Sequence, residues 1–208
     1  MGRIENFKTR GRNRENKQRN PIIAIACEGN NKTEETYYRN FNSKKCIIRF
    51  SKGNSTDPVG IVKDLLNFIN TEIGREEKDK YYAVFDTDVN QNKQAQIEEA
   101  KKLAIENGVE IITSTPAFEI WFLLHFGYST KCFLSSEDVK EAVKKKIDNY
   151  SEKVNVYPII CAKTMDAIKN AKQLEKYQID LGQTLENENC NPYTAAYKVV
   201  EELIKRNK

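Results

Sequence analysis

Residues Ile22 to Gly29 read IIAIACEG, and residues Tyr81 to Asp88 read YYAVFDTD. Each is an apolar run that ends in carboxylates: Glu28 before Gly29 in the first, Asp86 and Asp88 around Thr87 in the second. A run that is apolar at every position, without alternation, marks a strand buried on both faces. The acids then fall where each strand leaves the sheet. In open α/β sheets, ligands bind at the carboxyl ends of strands. Three carboxylates converging there repel one another unless a cation lies among them. The two runs therefore predict a mostly parallel sheet carrying a Mg²⁺ or Mn²⁺ site, and a metal site of that kind points to phosphate chemistry.

Working outward, Thr33 is an expected N-cap for a helix over Glu34–Asn42, with Tyr37, Tyr38 and Phe41 on its inward side. Cys46–Phe50 reads as a second strand. Asp57-Pro58 opens a helix by the cap-then-proline rule, and Val59, Val62, Leu65, Leu66 and Ile69 form its apolar stripe. Gln94–Glu106 is helical and is stopped by Asn107-Gly108. Val109–Ile112 is the fourth strand. Such alternation predicts an α/β fold with right-handed crossovers.

Beyond residue 114 the character changes. Ala117–Phe126 is an apolar helix expected under the edge of the sheet, and Ser136–Ile147, Lys163–Tyr177 and Tyr193–Asn207 all carry helical patterns. Tyr157–Ile160 reads as a short strand or extended connection, and Asn191 falls near the cap of the last helix. The expected organisation is a flexible basic tail (1–20), an α/β core (21–114) and a helical region (115–208) packed on that core.

The chain has 208 residues and a formal charge of +4. Residues 1–20 hold seven basic side chains against two acidic ones, so the rest of the chain is close to neutral. The tail is either simply solvated or an arm for nucleic-acid phosphates, and the two are compatible. The five cysteines are scattered without a C-x-x-C pair, as in a reduced cytoplasmic protein. A single histidine, His125, argues against histidine-based zinc sites and a Ser-His-Asp triad. Neither a membrane-spanning run nor a nucleotide-binding G-x-x-x-x-G-K-[ST] loop is present.

The candidate residues follow from this frame. Asp86 and Asp88 lie roughly 6.6 Å apart along an extended chain, side chains on one face, so they can share one hydrated ion or bracket two. Alone, the same triplet also reads as a polar turn capping the next helix. Glu28 is a third ligand or a general acid/base; its plain alternative is a solvated turn residue. Gly29 allows close approach of a phosphate, or simply makes the turn. Glu119, inside FEIWF, is costly to bury unless it is paired or bound to metal, so it either completes the acidic cluster or forms a structural ion pair. Lys32 and Lys163 are candidates for phosphate contact, and Arg10, Arg12, Arg14 and Arg19 for holding a nucleic-acid backbone. His125 and Trp121 read as core residues.

Four segments in order, IIAIACEGNNKTEETYYRNF (22–41), VFDTD (84–88), STPAFEIWFLLHF (114–126) and NPYTAAYKVVEEL (191–203), resemble the RloB family. The resemblance spans nearly the whole chain and implies a Toprim-like domain, in which a Glu-Gly after the first strand and an Asp-x-Asp after a later one hold the metal. Glu28-Gly29 and Asp86-Thr87-Asp88 match those positions. The turn after Glu28-Gly29 is one residue longer than the family pattern, which would shift Lys32 and Glu34 relative to the metal. The resemblance further implies a metal-dependent nuclease acting in phage defence beside an ATPase partner, on DNA or on RNA such as tRNA; self-association is compatible with it. Two other classes stay open: a non-catalytic module that docks on the ATPase and nucleic acid, and a receiver-like phosphoryl-transfer domain.

Overall fold

The computed structural model describes residues 19–29, 33–87 and 94–208. The first apolar run is strand β1, Ile22–Cys27. Helix α1, Thr33–Tyr38, follows and tightens into a 3₁₀ turn at Arg39–Phe41. Strand β2 is Ile47–Phe50 and helix α2 is Pro58–Phe68. The cap of α2 is as expected: Asp57 Oδ1 accepts the Gly60 N–H at 2.8 Å, and Pro58 occupies the first turn, where its missing N–H costs nothing. A π-helical turn, Ile69–Ile73, extends α2.

Strand β3 is Lys80–Asp86, helix α3 is Gln94–Glu106 and strand β4 is Glu110–Thr115. Helices α4 (Glu119–Leu124), α5 (Ser136–Lys144), α6 (Tyr157–Ile160) and α7 (Thr164–Asp180) come next, then strand β5 (Tyr193–Thr194) and helix α8 (Ala196–Asn207). Two expectations change here. Tyr157–Ile160 is a helical turn, because Pro158 fits a first turn and disfavours little there. The pattern that begins at Tyr193 opens with two strand residues before the helix starts.

The described strands form one five-stranded sheet in the order β2-β1-β3-β4-β5, and only β5 runs antiparallel. Ile22, Ala24 and Ala26 of β1 face a core with α2 and α3, while Ile23, Ile25 and Cys27 face a second, larger core. That alternation explains why the run is apolar at every position: each face meets a helical layer. The larger core joins α1 to α4, α5, α7 and α8, with Trp121 wholly buried among Tyr37, Phe118 and Phe122. The region after residue 115 thus completes both the sheet and its larger core.

The amino ends of the strands are tied by one buried carboxylate. Asp79 accepts from Arg19 (Nη1 2.9 Å, Nη2 2.5 Å), from the Ile22 and Glu76 N–H groups (2.8 and 3.1 Å) and from the Tyr81 hydroxyl (3.2 Å). Burial alone would raise its pKa, but the Arg19 contact and the two backbone N–H groups outweigh burial and leave it below the usual value. Arg19 also pairs with Glu76 at 3.2 Å. The Arg19 guanidinium, expected to hold a nucleic-acid backbone, is engaged at the amino edge, opposite the expected site. Asp79→Ala is expected to cost roughly 1.5–3 kcal/mol, since it leaves the buried Ile22 N–H unbonded and takes the partner from a partly exposed guanidinium. Urea denaturation checks this; a loss under about 1 kcal/mol would contradict it.

Candidate functional site

Parallel pairing aligns Cys27 of β1 with Val84 of β3, so both strands end at the same edge of the sheet. Glu28 follows directly, and its Oε2 accepts the Asp86 N–H at 3.2 Å. The Glu28 carboxylate therefore leans across the end of β3. Thr87 is buried: its N–H bonds the Ser114 carbonyl at 2.9 Å and its hydroxyl meets that of Thr115. Thr87 thus fixes the direction of the chain as it leaves β3. Asp86 keeps the parity of Tyr82 and Val84, which enter the core shared with α1 and α4. Gly29 takes φ +57°, a backbone conformation that side-chain-bearing residues avoid, and its N–H bonds the Ser55 carbonyl at 3.0 Å. This bond joins the Glu28-Gly29 turn to the loop after β2.

A second acidic group lies behind this edge. Glu34, in the first turn of α1, is 5% exposed, and its Oε2 has no hydrogen-bond partner. Burial pushes its carboxyl up to about 8, with the charges of Glu119, Glu28 and Glu152 adding to the shift against its own backbone N–H. Glu119, in the first turn of α4, is 3% exposed and accepts the Tyr150 hydroxyl at 2.6 Å. Burial raises the Glu119 pKa despite that bond and the nearby Lys140 ammonium. Lys140 in turn pairs with Glu152 at 2.5 Å, and the Thr33 hydroxyl donates to the Glu152 carbonyl. Glu34 therefore senses both the strand-end carboxylate and the Glu119 group.

Of the expected metal ligands, the Glu28 carboxylate reaches the Asp86 backbone N–H; Asp88 lies outside the described residues, as do Lys32, Arg10, Arg12 and Arg14. Among the described residues, no group of three or more His, Cys, Asp or Glu side chains is arranged to hold a metal ion. The donors present are hard carboxylate oxygens, and the orphaned Glu34 Oε2 faces burial without compensation. That chemistry suits Mg²⁺ or Mn²⁺ rather than a soft metal. Lys163 stands with its ammonium over the Phe126 ring at 5.6 Å, where its charge acts on His125, and among the described residues it makes no ion pair with a carboxylate. The His125 Nδ1–H donates to the Trp121 carbonyl (2.9 Å), and burial pushes its pKa down to about 4, which makes it a neutral core residue.

The sequence put Glu34 at the start of its helix, shifted from the expected metal by the longer turn, and it gave no sign of Tyr150, Lys140 and Glu152. The signal for Glu34 was Tyr37 one turn on: in a helix, positions three apart share a face. Tyr150, Lys140 and Glu152 reach the cluster through tertiary packing and carry no local signature.

An α/β sheet with carboxylates at the ends of two adjacent parallel strands is the class defined by fold and site. The chain belongs to the RloB-like family, whose model, described as RloB-like protein, matches residues 23–203. No curated protein and no solved structure matches it. Among the described residues, no helix is long and apolar enough to cross a membrane.

Proposed function

We propose that the chain is a metal-dependent phosphodiesterase that cuts nucleic acid through a Toprim-like strand-end site, as an effector of phage defence working beside an ATPase. The observation that carries this reading is the Glu28 carboxylate resting on the Asp86 N–H across two parallel strand ends. Glu28 and Asp86, with Asp88, would hold Mg²⁺ or Mn²⁺. When bound, such an ion activates water and neutralises charge at the scissile phosphate. Glu28 would also hold or pass the proton that the reaction moves. Glu34, buried and in electrostatic reach of Glu28, would set how readily Glu28 takes up a proton.

The test is cleavage of plasmid DNA, single-stranded DNA and bulk tRNA, with Mg²⁺, Mn²⁺ or EDTA, and with and without the partner ATPase. Cutting that needs the metal supports the reading and identifies the substrate class. The absence of cutting in every arm sinks it. The engagement of Glu119 with Tyr150 favours a second reading, a non-catalytic module binding nucleic acid and the ATPase. Calorimetric Mn²⁺ titration separates the two: the enzyme should bind metal and Asp86→Asn should lose it, whereas the module should bind none at millimolar concentrations.

A further inference from the structure

The free edge of the sheet carries a polar cavity of about 360 Å³, lined by Arg39, Arg49, Phe50, Lys52 and Glu72 among others. It lies between the 3₁₀ turn after α1 on one side of β2 and the π-helical turn after α2 on the other. The Arg39 guanidinium stacks over the Phe50 ring, 4.8 Å from its centre, and is steadied there by Glu35, which accepts from Arg39 Nε at 2.9 Å. Arg49 and Lys52 are exposed and have no ion-pair partner among the described residues. The cavity therefore offers two uncommitted cations beside a flat, braced guanidinium–aromatic pair.

Its position gives this chemistry a purpose. Ile25 pairs with Phe50, so Lys52 lies just past the carboxyl end of β2, on the same edge as Glu28 and Asp86. The loop holding Lys52 is fixed to β1: the Ser51 N–H bonds the Ile25 carbonyl at 2.9 Å, and the Gly29 N–H bonds the Ser55 carbonyl at 3.0 Å. β2 and β3 are two strand spacings apart, about 10 Å. A strand of nucleic acid lying along this edge would meet cations first and carboxylates next. Flat guanidinium planes and aromatic rings stack on unpaired bases, which a duplex keeps inside its own stack.

We propose that the groove of Arg39, Arg49, Phe50 and Lys52 binds single-stranded nucleic acid, with Arg49 and Lys52 on phosphates and the Arg39–Phe50 stack under a base, and leads the strand to the Glu28–Asp86 edge. The choice of ligand rests on the nuclease reading, but the binding itself does not need the metal. The test uses the full chain in EDTA and fluorescence anisotropy of labelled 12-nucleotide single-stranded DNA, single-stranded RNA and a DNA duplex. Arg49→Glu/Lys52→Glu should weaken single-strand binding at least tenfold. Loss of two phosphate contacts should reduce the salt slope by about 1.4. Arg49→Gln/Lys52→Gln, which removes charge without reversing it, should fall in between, and thermal melting should match the unaltered chain.

Unchanged affinity in the charge-reversed variant overturns the proposal, as does failure of the unaltered chain to bind either single strand, or equal binding and equal sensitivity on the duplex. Parallel cleavage assays with Mn²⁺ separate this inference from the nuclease reading. Binding that depends on the groove but without cleavage leaves the groove standing and the nuclease reading fallen. Cleavage that survives charge reversal undiminished does the opposite.

Discussion

Glu28→Gln and Asp86→Asn are each expected to reduce metal-dependent cleavage by roughly 10²–10⁴-fold, the range for losing a positioned acid/base or charge at the reacting phosphate. Both changes keep side-chain size. A glutamine at 28 can still accept the Asp86 N–H that Glu28 accepts at 3.2 Å, so the strand ends should keep their geometry. An asparagine at 86 leaves the backbone pairing of Asp86 with Ser114 untouched. What each removes is one of the negative charges that the proposed metal site would use. Melting temperature in EDTA should therefore change little, while Mn²⁺ affinity falls in Asp86→Asn. Cleavage at the unaltered rate in both variants would place the chemistry elsewhere.

The stability of the metal-free chain is expected to fall as pH rises from about 6.5 to about 9, and Glu34→Gln is expected to flatten that fall; below about 6.5 the opposite linkage of His125, whose folded pKa is pushed down to about 4, offsets it. The folded Glu34 carboxyl is pushed up to about 8, mainly by burial, against an ordinary value of 4.5. An unfolded chain releases this proton first, so the proton-bound form favours the folded state. The stabilisation is whole below the ordinary value, declines through the interval, and is gone above the folded value. Its size is on the order of 4 kcal/mol. Denaturant melts at several pH values in EDTA read the slope, and the variant should lose most of it. Glu119, also raised by burial, leaves a residual slope. Parallel curves for the two proteins would contradict the role of burial at Glu34.

The parallel part of the sheet was legible because Ile22–Cys27 and Tyr81–Phe85 are apolar on both faces and end in acids. Asp57-Pro58 marked the start of α2 for the same local reason. Tyr193–Thr194 was not legible: two residues cannot show a period of two, and the helical pattern after them dominates the window. Tyr157–Ile160 looked extended because tyrosine and isoleucine favour strands, but Pro158 sets a helical first turn and Ile160 packs into the core. Arg19 looked like part of a basic arm, since its partner Asp79 lies 60 residues away. At the site, Glu28 and Asp86 could be read from strand ends. The burial of Glu119 could be expected from its apolar neighbours in FEIWF, but its Tyr150 partner and the meeting of α1 and α4 that buries Glu34 beside it could not.

The last strand has a bearing on how the chain is born. Thr194 bonds Ser114 across 80 residues, and the Ala195 N–H bonds the Thr113 carbonyl. Synthesis proceeds from the amino end, and contacts this distant close late and slowly. Until α8 emerges, Ile23, Ile25, Tyr82 and Val84 lack the Val199, Val200 and Leu203 side chains that complete their core. A prematurely terminated chain thus carries Glu28 and Asp86 without the layer that steadies them. Translation as far as α8 is what completes the core beneath β1 and β3.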